Sequence, residues 1–509
     1  MAYVIKYEDE TRIKYRDNQN MTGALDDLFA GFGKMTAVRY MRGDQVVDVS
    51  GDEFGTDVRR VASELIRMGF YRKHLGIIGK NSYEWIVICL ASMYSGCVAV
   101  PINRMATPEE LKELCEYADV TAIFYDAEQE DVIASFQQTS STKAYEMKNF
   151  IEGRYTADRL TDDGTINNQT TKKDTIYILF TSGTTGKSKG VVLPNDSFIV
   201  SLQSAVFRVE SWLLVVPLHH IAGISVFLTF IGDRAAIHIG EDPKHVVKYL
   251  DKMKSDSVFA VPALLSLLCA RLKRVGNDQK KLGWNLDLIG CGAAAFPSGL
   301  IKQLSEAGIM VIQYYGTSEV AGGVICGVMT EDHSTTIGNI MVRYTGVKVE
   351  DNELCFNGRR LLTGYYKDEE STAETLVDGW YHTGDLGYVD EDGYWYLTGR
   401  KKNLIILSNG ENISPEEIEK AFSLCPEVSE TVVYGEGNFL HAEIYPAYDA
   451  YKPEERETLK EKILAFAYEY NKNAHTYKRV PFIEFRDTPF DKNASGKIMR
   501  DKANNGHNA

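Results

Sequence analysis

Short apolar runs alternate with amphipathic segments along the first part of the chain. In the clearest example, apolar runs at 75–79, 98–100 and 121–125 are separated by segments with helical periodicity. The same alternation returns around the runs 176–180, 212–217, 257–261, 286–290 and 309–313. Buried strands that alternate with helices are typical of α/β domains with largely parallel sheets. In such sheets, ligands bind at the carboxyl ends of the strands.

The pattern changes after about residue 335. Short runs of alternating apolar and polar residues are separated there by glycine turns, as at 347–356 and 393–397. Alternation with a period of two residues is the mark of half-buried strands. The sequence therefore predicts a small β-rich subdomain over about 335–400.

Helical and strand-like segments alternate again from about Asn403 onward, over a length that suffices for a separate domain. A chain of 509 residues is also too long for one compact core. We therefore predict an α/β protein with a large N-terminal domain (1–400) of mixed, mostly parallel sheets with flanking helices. A small α+β C-terminal domain (401–509) follows it.

Composition and charge narrow the class of protein. Hydrophobic residues make up 44% and charged residues 25% of the chain, as in ordinary soluble globular proteins. Lysine and arginine number 56 against 71 aspartates and glutamates, so the formal net charge is −15. This balance disfavours binding to nucleic acid. An anionic ligand therefore needs a local basic site.

Cysteine usage and apolar runs favour a cytoplasmic protein without an integral membrane segment. The eight cysteines form no Cys-x-x-Cys pair, so neither a zinc ribbon nor a disulfide framework is indicated. The N-terminus mixes charges throughout and has no apolar signal core. The longest uncharged run, 85–103, contains Gly96 and Pro101 and is better explained by a helix followed by a buried strand.

A loop rich in glycine, hydroxyl groups and lysine follows the apolar run 176–180, with the sequence Thr181-Ser-Gly-Thr-Thr-Gly-Lys-Ser-Lys-Gly190. Its glycines let backbone N–H groups approach an anion, and its hydroxyls and lysines donate to phosphate oxygens. A Walker A loop needs a glycine at position 181, which is threonine here, so a P-loop kinase or ATPase is excluded by the spacing. Taken alone, the loop is also compatible with a flexible polar surface loop.

This loop resembles the signature loop of the adenylate-forming superfamily, which includes acyl-CoA synthetases, adenylation domains and luciferases. Further motifs follow in the order that the superfamily shows, so the resemblance extends over roughly 22–500. These motifs are Gln313-Tyr-Tyr-Gly-Thr-Ser-Glu319, Trp380-Tyr-His-Thr-Gly-Asp-Leu386, the segment 399–419 that begins Gly-Arg-Lys-Lys-Asn, and the segment 489–500 that contains Ser-Gly-Lys.

The resemblance implies an ATP site. In it, Tyr315 stacks on adenine, Asp385 accepts hydrogen bonds from the ribose hydroxyls, and Thr184 and Glu319 bind Mg²⁺. Ser318 stands where the family has threonine, and it keeps the hydroxyl. The residues assigned to ATP are Thr181, Ser182, Gly183, Thr184, Thr185, Gly186, Lys189, Gly292, Ala293, Ala294, Tyr315, Gly316, Ser318, Asp385 and Arg400.

The resemblance also implies a reaction in two steps. A carboxylate attacks the α-phosphorus of ATP and releases pyrophosphate, and the thiol of CoA then displaces AMP. Lys497 is the adenylation lysine, Glu319 and His220 complete the catalytic set, and the mobile C-terminal domain turns about Lys402. The loop that lines the CoA tunnel contains Gly410, Glu411 and Asn412.

The acid pocket is expected to be apolar, which favours a fatty or other apolar acid. By the resemblance, His220 lies beside the substrate carboxylate, although a buried histidine with a purely structural role fits equally. No aspartate occurs in 217–225 to pair with an ammonium group, so amino acids are disfavoured. The residues assigned to the pocket are His220, Gly223, Ala321, Gly322 and Gly323.

Alternatives remain open at this stage. The phrase Gly-Arg-Lys-Lys-Asn-Leu-Ile-Ile-Leu-Ser and the segment 477–480 favour the long-chain fatty acyl-CoA synthetase branch. Against that branch, the chain is short and has no amphipathic anchor, so a medium-chain or aryl acid is also compatible. The runner-up function is an acyl-AMP ligase that loads the phosphopantetheine of an acyl carrier protein. A non-catalytic nucleotide-binding protein is a remoter alternative.

Overall fold

The structure is a computed structural model of the chain. It describes residues 3–4, 15–153, 166, 168–181, 189–292, 298–406, 412–437, 439–448, 451, 456–492 and 498–500. The chain divides into two compact units. The first combines Met1–Val347 with Phe356–Tyr381, and the second combines Lys348–Cys355 with His382–Ala509.

The α-helices in the described residues are α1 (Met21–Phe32), α2 (Gly51–Arg67), α3 (Tyr83–Tyr94), α4 (Pro108–Tyr117), α5 (Glu130–Gln137), α6 (Met147–Ile151), α7 (Asn195–Ser201), α8 (Ile221–Ile231), α9 (Val246–Met253), α10 (Pro262–Lys273), α11 (Ile301–Glu306), α12 (Glu369–Thr375), α13 (Pro415–Phe422) and α14 (Arg456–Asn473).

The strands are β1 (Tyr3–Val4), β2 (Thr36–Arg42), β3 (Gln45–Ser50), β4 (His74–Ile78), β5 (Val98–Ile102), β6 (Val120–Tyr125), β7 (Lys143–Glu146), β8 (Thr175–Thr181), β9 (Lys189–Pro194), β10 (Phe207–Arg208), β11 (Ser211–Leu214), β12 (Ala236–Ile239), β13 (Ser257–Ala260), β14 (Leu288–Cys291), β15 (Met310–Thr317), β16 (Gly322–Val328), β17 (Ile340–Met341), β18 (Thr345–Glu350), β19 (Glu353–Gly358), β20 (Gly364–Tyr365), β21 (Leu376–Val377), β22 (Trp380–Val389), β23 (Trp395–Arg400), β24 (Ile405–Ile406), β25 (Asn412–Ile413), β26 (Val428–Glu436), β27 (Phe439–Pro446) and β28 (Phe482–Phe485).

The first unit contains two large sheets. The seven-stranded sheet has the order β20-β9-β8-β5-β4-β6-β7, and the nine-stranded sheet has the order β17-β16-β15-β14-β13-β11-β12-β2-β3. Their centres are parallel, and antiparallel pairs such as β8–β9 and β15–β16 lie toward the edges. The predicted α/β fold with mostly parallel sheets is confirmed.

The long uncharged run belongs to the interior of the first unit. Residues of α3 from Trp85 onward and every residue of β5 are buried. Ser82 caps the helix by accepting a hydrogen bond from the backbone N–H of Trp85, and Gly96, with φ of 77°, follows its end. Within the described part of the chain, no helix combines the length and apolarity that crossing a membrane requires.

Local signals fix the helix starts. Before α4, Thr107 accepts a hydrogen bond from the N–H of Glu110, the Glu110 carboxylate accepts one from the N–H of Thr107, and Pro108 occupies the first turn. This reciprocal pair satisfies two backbone donors that a helix leaves open at its start. Ser50 and Glu53 form the same arrangement at α2.

The second unit contains an α+β core. Strands β26, β27 and β28 form a three-stranded sheet, in which β26–β27 is antiparallel and β27–β28 is parallel. Helices α13 and α14 contribute Phe422 and Ile463 to a core that also contains Val433, Leu440 and Ile444. In the same unit, β22 from His382 onward pairs with β23 as an antiparallel hairpin.

Candidate active site

Several residues that the sequence assigns to the site lie outside the described residues: Ser182, Gly183, Thr184, Thr185, Gly186, Ala293, Ala294, Gly410, Glu411 and Lys497. For Asn412, the structure describes the backbone within β25.

The strands that flank the phosphate loop form an antiparallel pair. β8 ends at Thr181, β9 begins at Lys189, and these two residues are opposite each other across the pair. The Thr181 hydroxyl donates to the backbone oxygen of Lys189 over 3.5 Å. The ladder therefore fixes where the loop begins and where it ends.

A tight turn follows β15 and carries Glu319. Ser318, Glu319 and Val320 form one turn of 3₁₀-helix, and Ala321 then adopts the left-handed conformation with φ of 52°. The two sides of the turn approach so closely that a Cβ atom at Gly316 would lie 1.8 Å from the backbone oxygen of Gly322. Glycine is therefore needed at position 316.

Tyr315 lies just before this turn, and its ring is largely buried. Its exposed fraction is 8%, and its ring centroid lies 6.0 Å from that of Phe356. At the neighbouring strand end, Gly292 approaches the same strand, since a Cβ atom there would lie 3.1 Å from the backbone oxygen of Tyr314. The structure thus brings the assigned residues 292 and 315–319 to the carboxyl ends of β14 and β15, where the sheet topology predicts a ligand.

One tyrosine connects the phosphate-loop lysine to the assigned metal carboxylate. The Tyr365 hydroxyl donates to Oε1 of Glu319 at 2.9 Å, and Nζ of Lys189 lies 5.1 Å from the centroid of the Tyr365 ring. Burial raises the pKa of Tyr365, so its hydroxyl stays protonated and acts as a donor. Tyr365 lies outside the motifs quoted from the sequence, so its place in the site was not predicted.

The chain before Tyr365 holds the backbone of the Glu319 turn. The N–H of Leu362 donates to the backbone oxygen of Glu319 at 2.7 Å. The guanidinium of Arg360, with an exposed fraction of 2%, donates to the backbone oxygens of Val320 and Ala321 at 3.3 and 2.7 Å. The left-handed residue and the turn before it are therefore fixed by side-chain and backbone donors.

These residues fit a magnesium ion that accompanies ATP. Mg²⁺ prefers carboxylate and phosphate oxygens and uses one or two carboxylates with substrate phosphates. Tyr365 occupies Oε1 of Glu319, whereas Oε2 has no hydrogen-bond or ion-pair partner among the residues that the structure describes. Lys189, near the same tyrosine ring, adds a positive charge suited to a phosphate.

His220 immediately precedes α8, and its ring lies 4.4 Å from that of His219. Burial lowers the pKa of both imidazoles, and that of His219 falls to about 3. Both histidines are therefore neutral at physiological pH. A neutral imidazole can donate one N–H to a carboxylate without adding a charge.

Close packing explains two glycines of the assigned acid pocket. A Cβ atom at Gly223 would lie 2.3 Å from the backbone oxygen of Pro217. At Gly322, where φ is 103°, a Cβ atom would lie 2.1 Å from Oγ of Ser225 in α8. These glycines allow α8 to pack against its neighbours, so they are not evidence of room for a long acyl chain.

We expect Gly322→Ala to destabilise the protein by about 2 kcal/mol or more, because it adds backbone strain and overpacks the contact with Ser225. The measurement is the midpoint of thermal unfolding. Gly299→Ala is the matched control, since a Cβ atom at Gly299 would have no neighbour within 4 Å. Equal midpoints for the two variants would contradict this account of Gly322.

The second unit brings Asp385 and Arg400 together. They are opposite each other across β22 and β23, and Nε of Arg400 lies 2.6 Å from Oδ1 of Asp385 in an ion pair. The N–H of Asp385 donates to the Thr383 hydroxyl at 2.9 Å, which fixes the backbone at this point. The carboxylate assigned to ribose therefore lies on a rigid hairpin.

The assigned hinge residue, Lys402, lies in the 3₁₀ turn Lys401–Asn403 directly after β23. Its neighbour Lys401 is anchored, because Nζ of Lys401 lies 3.1 Å from Oε2 of the buried Glu353. That contact and the backbone N–H of Gly384 hold the pKa of the Glu353 carboxyl below its usual value despite burial.

Comparison with known proteins identifies a family over most of the chain. Residues 26–366 match the family described as AMP-binding enzyme, and residues 402–508 match the AMP-binding enzyme C-terminal domain. Among curated proteins, a 2-succinylbenzoate–CoA ligase of Bacillus cereus (strain AH820) is 28% identical over 459 residues. The aligned region covers 86% of this chain and 90% of that protein.

Solved structures share the fold. An anthranilate CoA ligase in complex with anthranoyl-AMP has a TM-score of 0.80 at 20% identity, with 99% of each chain covered. A fatty acyl CoA synthetase of Mycobacterium tuberculosis has a TM-score of 0.72 at 21% identity, covering 96% of this chain and 98% of that one. At these identities the likeness establishes the fold.

Proposed function

This chain belongs to the family of AMP-binding enzymes, and we propose that it joins a carboxylic acid to CoA at the expense of ATP. In the first step, the acid displaces pyrophosphate from ATP and becomes an acyl-adenylate. In the second step, the thiol of CoA displaces AMP and gives the acyl-CoA. The enzyme is thus an AMP-forming acid–thiol ligase.

The observation that carries this proposal is the arrangement around Tyr365. A lysine from the phosphate loop and a carboxylate suited to Mg²⁺ both contact this one side chain, at the ends of strands from the two large sheets. A phosphoryl-type transfer needs positive charge around the phosphates, and its catalysis is mainly positioning and charge neutralisation. The contacts of Lys189 and Glu319 with Tyr365 support the proposal for this reason.

The chain's own residues orient the reactants. In this proposal, Lys189 binds a phosphate oxygen of ATP and the neutral His220 donates to the acid. Bound Mg²⁺ neutralises phosphate charge, and Glu319 holds the ion. No side chain needs to act as a covalent nucleophile, because the acid itself attacks the phosphorus.

The acid that we propose is an aromatic carboxylic acid. The names of two similar proteins, 2-succinylbenzoate–CoA ligase and anthranilate CoA ligase, both contain aryl acids. This proposal replaces the expectation from the sequence, which favoured a fatty or other apolar acid as the substrate. The close packing at Gly223 and Gly322 also removes a reason to expect a long acyl tunnel there.

CoA is the proposed thiol acceptor. The curated relative is a CoA ligase by name and matches this chain over 86% of its length. The carrier-protein alternative receives no support of this kind. The comparison of free CoA with a phosphopantetheinylated carrier protein as acceptor distinguishes the two.

A panel of acids tests the proposed function through pyrophosphate release, measured with and without CoA. The panel pairs aryl acids (2-succinylbenzoate, anthranilate and benzoate) with straight-chain fatty acids of increasing length. We expect an aryl acid to give the highest kcat/KM, AMP and pyrophosphate as products, and an acyl-CoA when CoA is present. A fatty acid as the best substrate would overturn the choice of acid. If no acid in the panel led to the release of pyrophosphate, the proposed ligase activity would be overturned.

A further inference from the structure

We propose that Tyr365 is a positioning residue for Mg²⁺ binding, because its hydroxyl fixes Oε1 of Glu319 and directs Oε2 to the metal ion. This inference rests on the proposed function, in which Glu319 holds the Mg²⁺ that accompanies ATP. It adds a residue that belongs to none of the motifs in the sequence.

The backbone around Glu319 is already fixed without the tyrosine hydroxyl. Leu362 and Arg360 donate to the backbone oxygens of residues 319–321. The only freedom left to Glu319 is therefore in its side chain. A glutamate side chain has several rotatable bonds, and ordering it costs conformational entropy.

The Tyr365 hydroxyl removes this freedom of the Glu319 side chain. It donates to Oε1 at 2.9 Å, within the range of a good hydrogen bond to a charged acceptor. Groups that hydrogen-bond to a metal ligand orient it, and their loss typically lowers metal affinity about 10- to 100-fold. Tyr365 is placed to act on Glu319 in this way.

Tyr365 itself is held independently of its hydroxyl. β20 pairs with β9, where Tyr365 is opposite Val191, and the N–H of Tyr365 donates to the Thr372 hydroxyl at 2.8 Å. The ring also keeps its contact with the Lys189 ammonium when the hydroxyl is absent. Tyr365→Phe thus removes the hydroxyl, with its hydrogen bond to Glu319 and its interaction with Thr375, and leaves the backbone, the ring and the lysine contact in place.

The adjacent residue supplies a matched control. The Tyr366 hydroxyl donates to Oδ2 of Asp119 at 2.6 Å, which is another tyrosine–carboxylate hydrogen bond in the same segment. Asp119 carries no assigned role in the site. Tyr366→Phe therefore measures the cost of losing such a bond where no metal ion is involved.

The experiment measures ATP binding by titration calorimetry, once with Mg²⁺ and once with EDTA, for the wild type and both variants. We expect Tyr365→Phe to reduce the tightening of ATP binding by Mg²⁺ about tenfold, while its ATP affinity in EDTA stays within twofold of wild type. Tyr366→Phe should match wild type in both conditions. Thermal unfolding midpoints, measured alongside, report any general structural cost.

A double variant tests whether Tyr365 acts through Glu319. If it does, Tyr365→Phe has no further effect on the Mg²⁺-dependent tightening in a Glu319→Ala background. The inference is overturned if Tyr365→Phe changes the Mg²⁺-dependent tightening of ATP binding equally in the wild-type and Glu319→Ala backgrounds. It is also overturned if this tightening in Tyr365→Phe stays within twofold of wild type. A wild-type ATP affinity that Mg²⁺ does not change overturns it as well. The ligase activity is judged separately, since pyrophosphate release by the wild type reports on it directly.

Discussion

Replacing Lys497 with alanine is expected to lower acyl-adenylate formation by about 10²–10³-fold, the typical cost of losing one donor that stabilises charge in a transition state. Thioester formation from supplied acyl-adenylate should survive, because the two-step cycle implied by the family uses this lysine in the first step. The measurements are pyrophosphate release with acid and ATP, and acyl-CoA formation from synthetic acyl-adenylate and CoA. Near-native pyrophosphate release would show that Lys497 is not the adenylation lysine.

The segment that contains Lys497 offers its own control. Lys497 lies outside the described residues, but Lys492 and Ile498 pair as a β-bridge, and the N–H of Met499 donates to the backbone oxygen of Asp491 at 2.8 Å. These contacts use the backbone, so an alanine at 497 does not remove them. Lys492→Ala breaks the ion pair between Nζ of Lys492 and Oε1 of Glu430, 2.5 Å apart. The Lys492→Ala variant should keep the wild-type rates of both half-reactions if Lys497 is the lysine of this segment that acts in catalysis.

The elements that the sequence predicted well are those whose burial is uniform. β5 and β13 are buried along their whole length, because helices or loops cover both faces of a parallel sheet. Uniform burial requires an apolar run, and such a run is visible without any knowledge of the neighbours. The cap of α4 is local in a similar sense, since it involves residues only three positions apart.

The parts of the site that the sequence could not predict depend on contacts between distant residues. Tyr365 is 46 positions from Glu319, and nothing near Tyr365 in the sequence indicates that its hydroxyl meets a carboxylate. Arg360 is 39 positions from Ala321, and nothing near it in the sequence indicates that its guanidinium is buried. Gly322 was assigned to the acid pocket, and the structure shows that α8 packs against it. Loop composition reveals the kind of ligand, and packing decides which side chains hold the ligating groups.

Replacing Glu319 with glutamine is expected to lower pyrophosphate release by roughly 10²–10³-fold, because a metal ion that neutralises phosphate charge lowers the barrier by several kcal/mol and each step of about 1.36 kcal/mol changes the rate tenfold. The fold should persist, since the amide oxygen of glutamine still accepts from Tyr365 and the backbone bond from Leu362 is unchanged. The lost charge is thus the main difference.

The measurement is pyrophosphate release as a function of Mg²⁺ concentration at saturating ATP and acid, and the half-saturating Mg²⁺ concentration should rise in the Glu319→Gln variant. Asp119→Asn is the matched control. It makes the same change in a carboxylate that accepts a hydrogen bond from Tyr366, and asparagine tolerates the left-handed conformation of residue 119, where φ is 52°. Its rate and Mg²⁺ dependence should stay within about twofold of wild type, since a surface substitution away from the site changes little. If Glu319→Gln kept the wild-type rate and Mg²⁺ dependence, the ion would be held elsewhere, and the positioning role of Tyr365 would fall with that assignment.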